Sequence, residues 1–114
     1  MNLDRNETPD GLGKYILVNA RKLMAQHPEA KTFNDLPQEI LEAFHTLEKA
    51  GAVEYGLRGA IDEFFPIKLR DAYARPAIMA YALACEADDP EFSARVREMA
   101  DRSGRFSVYC KKPD

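Results

Sequence analysis

The sequence predicts a small α+β domain, with about four helices packed against an antiparallel β-hairpin or three-stranded sheet. Three observations predict it. A capped amphipathic pattern within Leu36 to Gly51 has the 3.6-residue period of a helix. Two segments alternating every second residue follow: Val53, Tyr55 and Leu57, then Phe65, Ile67 and Leu69. A chain of 114 residues, 46% apolar and 31% charged, can also bury one core without disulfides or metal. Residues 1–10 are expected as a flexible arm, 11–110 as a single compact domain and 111–114 as a polar tail.

The helices follow in order. Leu12, Tyr15, Ile16, Ala20, Leu23 and Met24 fall at helical spacing, with Asp10 as N-cap and Pro28 as stop, which predicts a helix over about 12–27. The second helix carries Asp35 as cap, Pro37 in its first turn, and Gln38 as partner in a capping box. Its expected buried stripe is Ile40, Leu41, Phe44 and Leu47, and Gly51 supplies a left-handed C-terminal cap. The third helix runs over about 72–87, capped by Asp71. Its Ala77–Cys85 run is apolar on all sides, the pattern of a helix buried on several faces or joined to a second copy. Asp89, Pro90 and Glu91 then open the fourth helix, with Phe92, Val96, Met99 and Ala100 inward and Gly104 at its end.

Arg58–Asp62 is the turn of the expected hairpin, with Gly59 free to take positive φ. Pro66 cannot donate to a ladder and places its strand at an edge. The alternation of Phe106, Val108 and Cys110 predicts a third strand over 105–110.

A net charge of −3 argues against bulk attraction to nucleic acid or anionic membrane, but leaves room for a local basic face. Cys85 and Cys110 fit neither a disulfide framework nor a zinc site and read as reduced thiols. The polar first ten residues have no apolar signal core, and the longest apolar run is nine residues, against the roughly 20 that span a bilayer. These features predict a cytoplasmic protein without a membrane partner.

Catalytic and cofactor chemistry find no pattern to rest on. Ser93, Ser103 and Ser107 lack a nucleophile-elbow context, and Gly11-Leu12-Gly13-Lys14 lacks the glycine spacing and hydroxyl residue of a phosphate loop. His27 and His45 form no metal-ligand spacing, and Glu86, Asp88, Asp89 and Glu91 read as helix capping rather than a calcium loop. The expectation is a non-enzyme with no cofactor and no metal.

Binding residues are clearer. Phe64, Lys68, Arg70, Tyr73 and Arg75 mix cations with aromatic rings, the combination used for single strands, phosphates and protein hot spots. In a strand, Phe64, Lys68 and Arg70 share one face. A solvated edge strand whose cations guard against aggregation accounts for the same residues. Glu39 and Glu42 give the second helix an acidic side that can meet a basic cleft.

Two resemblances bear on these residues. Leu47-Glu48-Lys49-Ala50-Gly51-Ala52-Val53-Glu54-Tyr55, with Asp62-Glu63-Phe64-Phe65-Pro66-Ile67-Lys68-Leu69 as a returning strand, resembles a recognition helix running into the wing of winged-helix proteins. Residues 28–36 are too short for the preceding helix that motif needs, and Glu39, Glu42 and Glu48 would repel phosphates. Gly13-Lys14-Tyr15, Asn19-Ala20-Arg21-Lys22-Leu23, and Asp62 to Asp71 followed by Tyr73-Ala74 resemble small phage or prophage accessory proteins. That resemblance implies a protein that acts by binding, as a modulator or inhibitor of a host enzyme or defence complex.

The expected function is therefore non-catalytic docking on a macromolecular partner, a protein first. The alternative is a nucleic-acid or nucleotide binder using Lys68, Arg70 and Arg75, with some of Arg95, Arg97, Arg102 and Arg105 converging on one face. A third expectation is self-association through the Ala77–Cys85 helix.

Overall fold

The computed structural model describes residues 9–113. Among them the element order is α1 (Ala20–Ala25), a 3-10 turn (Phe33–Asp35), α2 (Gln38–Lys49), α3 (Ala74–Cys85), α4 (Pro90–Asp101) and a second 3-10 turn (Gly104–Phe106). The described residues form no strand, so the fold is all-α and the α+β expectation is corrected. The winged-helix resemblance falls with it, because no β-hairpin follows α2. The chain divides into two units: one is Ile16–Phe64, and the other combines the described residues up to Tyr15 with those from Phe65 onward. The expected arm over 1–10 lies outside the described residues except for its last two.

In the Ile16–Phe64 unit, the first helix shrinks to six residues. Asn19 accepts a hydrogen bond from the Lys22 amide at 2.9 Å and starts the helix there, whereas Asp10 turns its carboxylate to the Leu12 amide. Tyr15, Ile16, Leu17 and Val18, counted into the expected helix, stay outside it and exposed; β-branched Ile16 and Val18 favour that. Asp35 does not cap α2. Its carboxylate accepts from the amides of Lys31 and Thr32 at 3.1 and 2.9 Å and closes the 3-10 turn instead. Those amides hold its pKa below the usual carboxylate value. Gln38 bonds Glu42 rather than the helix entrance, and Pro37 takes the cap position.

The predicted stripe of α2 is only half-buried at Ile40, Leu41 and Phe44, and Leu47 is 47% exposed. Phe33 meets Phe44 edge-on at 4.9 Å and Tyr55 at 6.1 Å, while the Tyr55 hydroxyl donates to Glu48. That bond pushes the Tyr55 pKa up to about 12. Gly51 closes α2 at φ +70°, as its sequence position predicts.

The expected hairpin forms no ladder. The Phe64 ring covers Gly56 so closely that a Cβ there would lie 2.2 Å from it. Gly56, at φ +61°, breaks the extended run of Val53–Leu57 in the middle, and Pro66 lacks a donor. Two bent alternating segments with no third strand to cover them do not sustain a sheet in water.

The second unit is built on a helical hairpin. Arg75 at the start of α3 faces Asp101 at the end of α4, and Ser93 near the start of α4 donates to the Ala82 carbonyl at 2.6 Å, so the helices run antiparallel. Their seam is Ala82, Phe92 and Val96, flanked by Ile78 and Cys85. Asp89 caps α4 through the Phe92 amide at 3.0 Å, with Pro90 at the first position, as the sequence predicts. Asp71, expected to cap α3, instead accepts from the amide of Tyr73, the residue just before the helix. The apolar run of α3 is not buried on several sides: Ala82 is enclosed, while Tyr81 and Leu83 are 57% and 59% exposed. Both thiols are free, Cys85 half-buried and Cys110 exposed.

Candidate cationic–aromatic site

The open end of the α3–α4 hairpin joins two segments far apart in sequence. Ser103 buries its hydroxyl on the Ala100 carbonyl at 2.7 Å and ends the α4 region. Gly104 then turns at φ +59° and donates its amide to the Leu69 carbonyl at 2.8 Å. An added Cβ there would sit at ordinary contact distance, 3.5 Å, from both the Ala72 carbonyl and the Arg75 Cβ. Further on, the Lys111 amide donates to the Arg70 carbonyl at 3.0 Å and the Ala72 amide to the Lys111 carbonyl at 2.9 Å. These bonds make an isolated parallel bridge between Asp71 and Lys111, one residue beyond the third strand expected over 105–110. Phe106 lies in a 3-10 turn and Cys110 closes a further turn onto Ser107, so the alternation over 105–110 is not a strand.

These main-chain bonds join two short segments that carry seven cations between them. Residues 68–75 contribute Lys68, Arg70 and Arg75; residues 102–112 contribute Arg102, Arg105, Lys111 and Lys112. Within the same segments the one acid is Asp71, with Asp101 adjoining. Arg75 stands 5.0 Å and Arg105 4.9 Å from the Phe106 ring centroid, so one ring faces two guanidinium groups. Phe106 is half-exposed, and Tyr73 and Tyr109 are exposed nearby in sequence at 61% and 75%. Among the described residues, Lys68, Arg70, Arg102 and Arg105 make no ion pair. Arg75 has only a 3.6 Å approach to Asp101.

The arginines of and around α4 divide between the two ends of the hairpin. At its closed end, the acids Glu86 and Glu91 bind Arg97 and Arg95 at 2.7 and 3.2 Å. Arg95 and Arg97 therefore do not join the cationic end, whereas Arg102 and Arg105 do. The carbonyl end of the α4 dipole favours cations there by a few tenths of a kcal/mol each.

Of the residues singled out in the sequence, Lys68, Arg70, Tyr73 and Arg75 lie in the segment that these main-chain bonds join to residues 104–111. The shared strand face of Phe64, Lys68 and Arg70 does not form, because no strand exists; Phe64 belongs to the other unit, where it packs on Gly56. Glu39 and Glu42 are exposed on α2 in that unit as well. Phe106 and Tyr109 are the residues sequence reasoning missed. The density of Arg102, Arg105, Lys111 and Lys112 around them is the local signal that marks them. Among the described residues no group of three or more His, Cys, Asp or Glu is arranged around a metal position, and no helix is long and apolar enough to cross a membrane.

No protein-family model, curated protein or solved structure matches this chain.

Proposed function

We propose that this chain is a non-catalytic binding protein that docks onto an anionic macromolecular partner through the open end of the α3–α4 hairpin. One observation carries the reading: Phe106, half-exposed, faces the guanidinium groups of Arg75 and Arg105, in segments that also carry Lys68, Arg70 and Arg102, which make no ion pair among the described residues. A solvated charge gains little from being left there, but an arginine fixed against a ring meets a carboxylate or phosphate with its geometry already set. The same mixture of Arg and aromatic side chains is typical of interaction hot spots. Ser93 and Ser103 are buried with their hydroxyls directed to main-chain carbonyls, which supports a binding role over nucleophilic chemistry at either residue. A host macromolecule in the cytoplasm is the partner that the likeness to phage accessory proteins implies.

Retention on an immobilised sulfated polyanion at moderate salt tests the reading. The wild-type chain is retained, and the Arg70→Glu/Arg102→Glu variant, altered only at exposed side chains, elutes at much lower salt with an unchanged melting curve. A charge reversal at Lys49 on α2 leaves elution close to wild type. Equal elution of all three proteins would refute the assignment of the face.

A further inference from the structure

We infer that the partner taken by the cationic end of the hairpin is a short stretch of single-stranded nucleic acid. The inference rests on the docking reading above and specifies its occupant.

Three features select this class. The first is charge density: seven cations stand against Asp71 within residues 68–75 and 102–112, while the whole chain carries −3. Such a balance limits attraction to a local footprint rather than a long duplex. The second is the placement of rings among the cations. Tyr73 and Tyr109 expose most of their surface, and Phe106 about half. Phe106 is already engaged by Arg75 and Arg105, but a nucleobase offers a flat π-face to Tyr73 and Tyr109, whereas the carboxylates of an acidic peptide have none; exposed rings in cationic segments therefore favour bases. The third is rigidity. Gly104, Lys111 and Ala72 bind the two segments by main-chain hydrogen bonds of 2.8–3.0 Å, so phosphates meet cations whose backbones are already in place.

Duplex recognition by a groove-reading helix does not fit the site. The Arg75 and Arg105 groups lie against Phe106 at the helix ends rather than along one free helix face, and α4 sets Glu91, Glu98 and Asp101 among its arginines. Single strands need only a cationic track with aromatic platforms.

The test is fluorescence anisotropy with labelled oligothymidylate and oligouridylate of about 12 nucleotides, within the range of single-strand sites. Poly-L-glutamate and a duplex of equal length serve as competitors. The inference expects binding whose logarithmic salt slope is about −2 to −3, as for three or four neutralised phosphates. Tyr109→Ser, at an exposed position, weakens oligonucleotide binding about five-fold or more with its melting curve unchanged. Arg70→Glu lowers the salt slope by about one unit or less. The two oligonucleotides distinguish DNA from RNA as the source of the strand. Displacement by poly-L-glutamate at equal charge, with no effect of Tyr109→Ser, would overturn the nucleic-acid assignment and leave an acidic protein as the partner. Binding to neither polyanion at low salt would overturn the docking reading as well.

Discussion

The Arg75 guanidinium stands 5.0 Å from the centroid of the Phe106 ring, joining the first turn of α3 to the turn that follows α4. The contact fixes a charge where the chain leaves it only a long approach to Asp101. Cation–π contacts at partly exposed sites contribute about 0.5–1 kcal/mol. We expect Arg75→Ala to cost about 1 kcal/mol in thermal unfolding and to lower polyanion affinity by much more than that loss of folded protein explains. Arg75→Lys retains charge but loses the planar stack, and is expected to recover only part of the affinity.

The α3–α4 seam is expected to dominate stability. Phe92 is 7% exposed and meets Tyr81 edge-on at 6.3 Å, so Phe92→Ala should cost about 3–5 kcal/mol. Leu47 belongs to the predicted stripe of α2, yet it is 47% exposed, and Leu47→Ala should cost about 1 kcal/mol. Urea unfolding of the two variants separates these values. Equal costs would mean that α2 is packed as tightly as the hairpin seam.

Gly104 is a structural requirement of the site. Its φ of +59° disfavours any L side chain by about 1–2 kcal/mol, and a Cβ would meet the Ala72 carbonyl and the Arg75 Cβ at 3.5 Å, ordinary contact distance. Gly104→Ala should therefore destabilise through the backbone alone and loosen the amide bond to Leu69. Faster hydrogen exchange at the Gly104 position, with α3 amides unaffected, is the expected signature.

Acid should weaken the cap of α4. The Phe92 amide is the largest influence holding the Asp89 carboxyl below the usual carboxylate range. A lowered folded pKa means the unfolded chain binds the proton first. The contribution is thus complete at neutral pH and is lost as pH falls below about 4 and through the lower folded value. Asp89→Asn keeps an acceptor at the cap but removes the titration. Its melting temperature should fall less steeply in acid than that of wild type; parallel profiles would remove Asp89 from the acid response.

The sequence made some of this legible because some of the signals are local. Asp89, Pro90 and Glu91 announce the start of α4 through side-chain chemistry within one turn, and the cap forms as expected. Lys68, Arg70, Tyr73 and Arg75 stand close in the chain, so their shared place in one cationic segment needed no tertiary information. The hairpin failed because alternation records which residues are apolar, not whether a ladder exists. Gly56 and Pro66 interrupt the two segments, and Phe64 packs on Gly56 instead of pairing across it. Phe106 was hidden for a related reason: its alternation with Val108 and Cys110 imitates a strand, while its contact with Arg75 spans 31 residues and depends on the α3–α4 turn.

The most direct measurement is amide chemical-shift mapping of the isotope-labelled chain during titration with oligothymidylate at low salt. The account predicts shifts concentrated in residues 68–75 and 102–112, with the Gly104 and Lys111 amides among the most affected. Shifts centred on α2 around Glu39 and Glu42, or none in the two cationic segments, would contradict it.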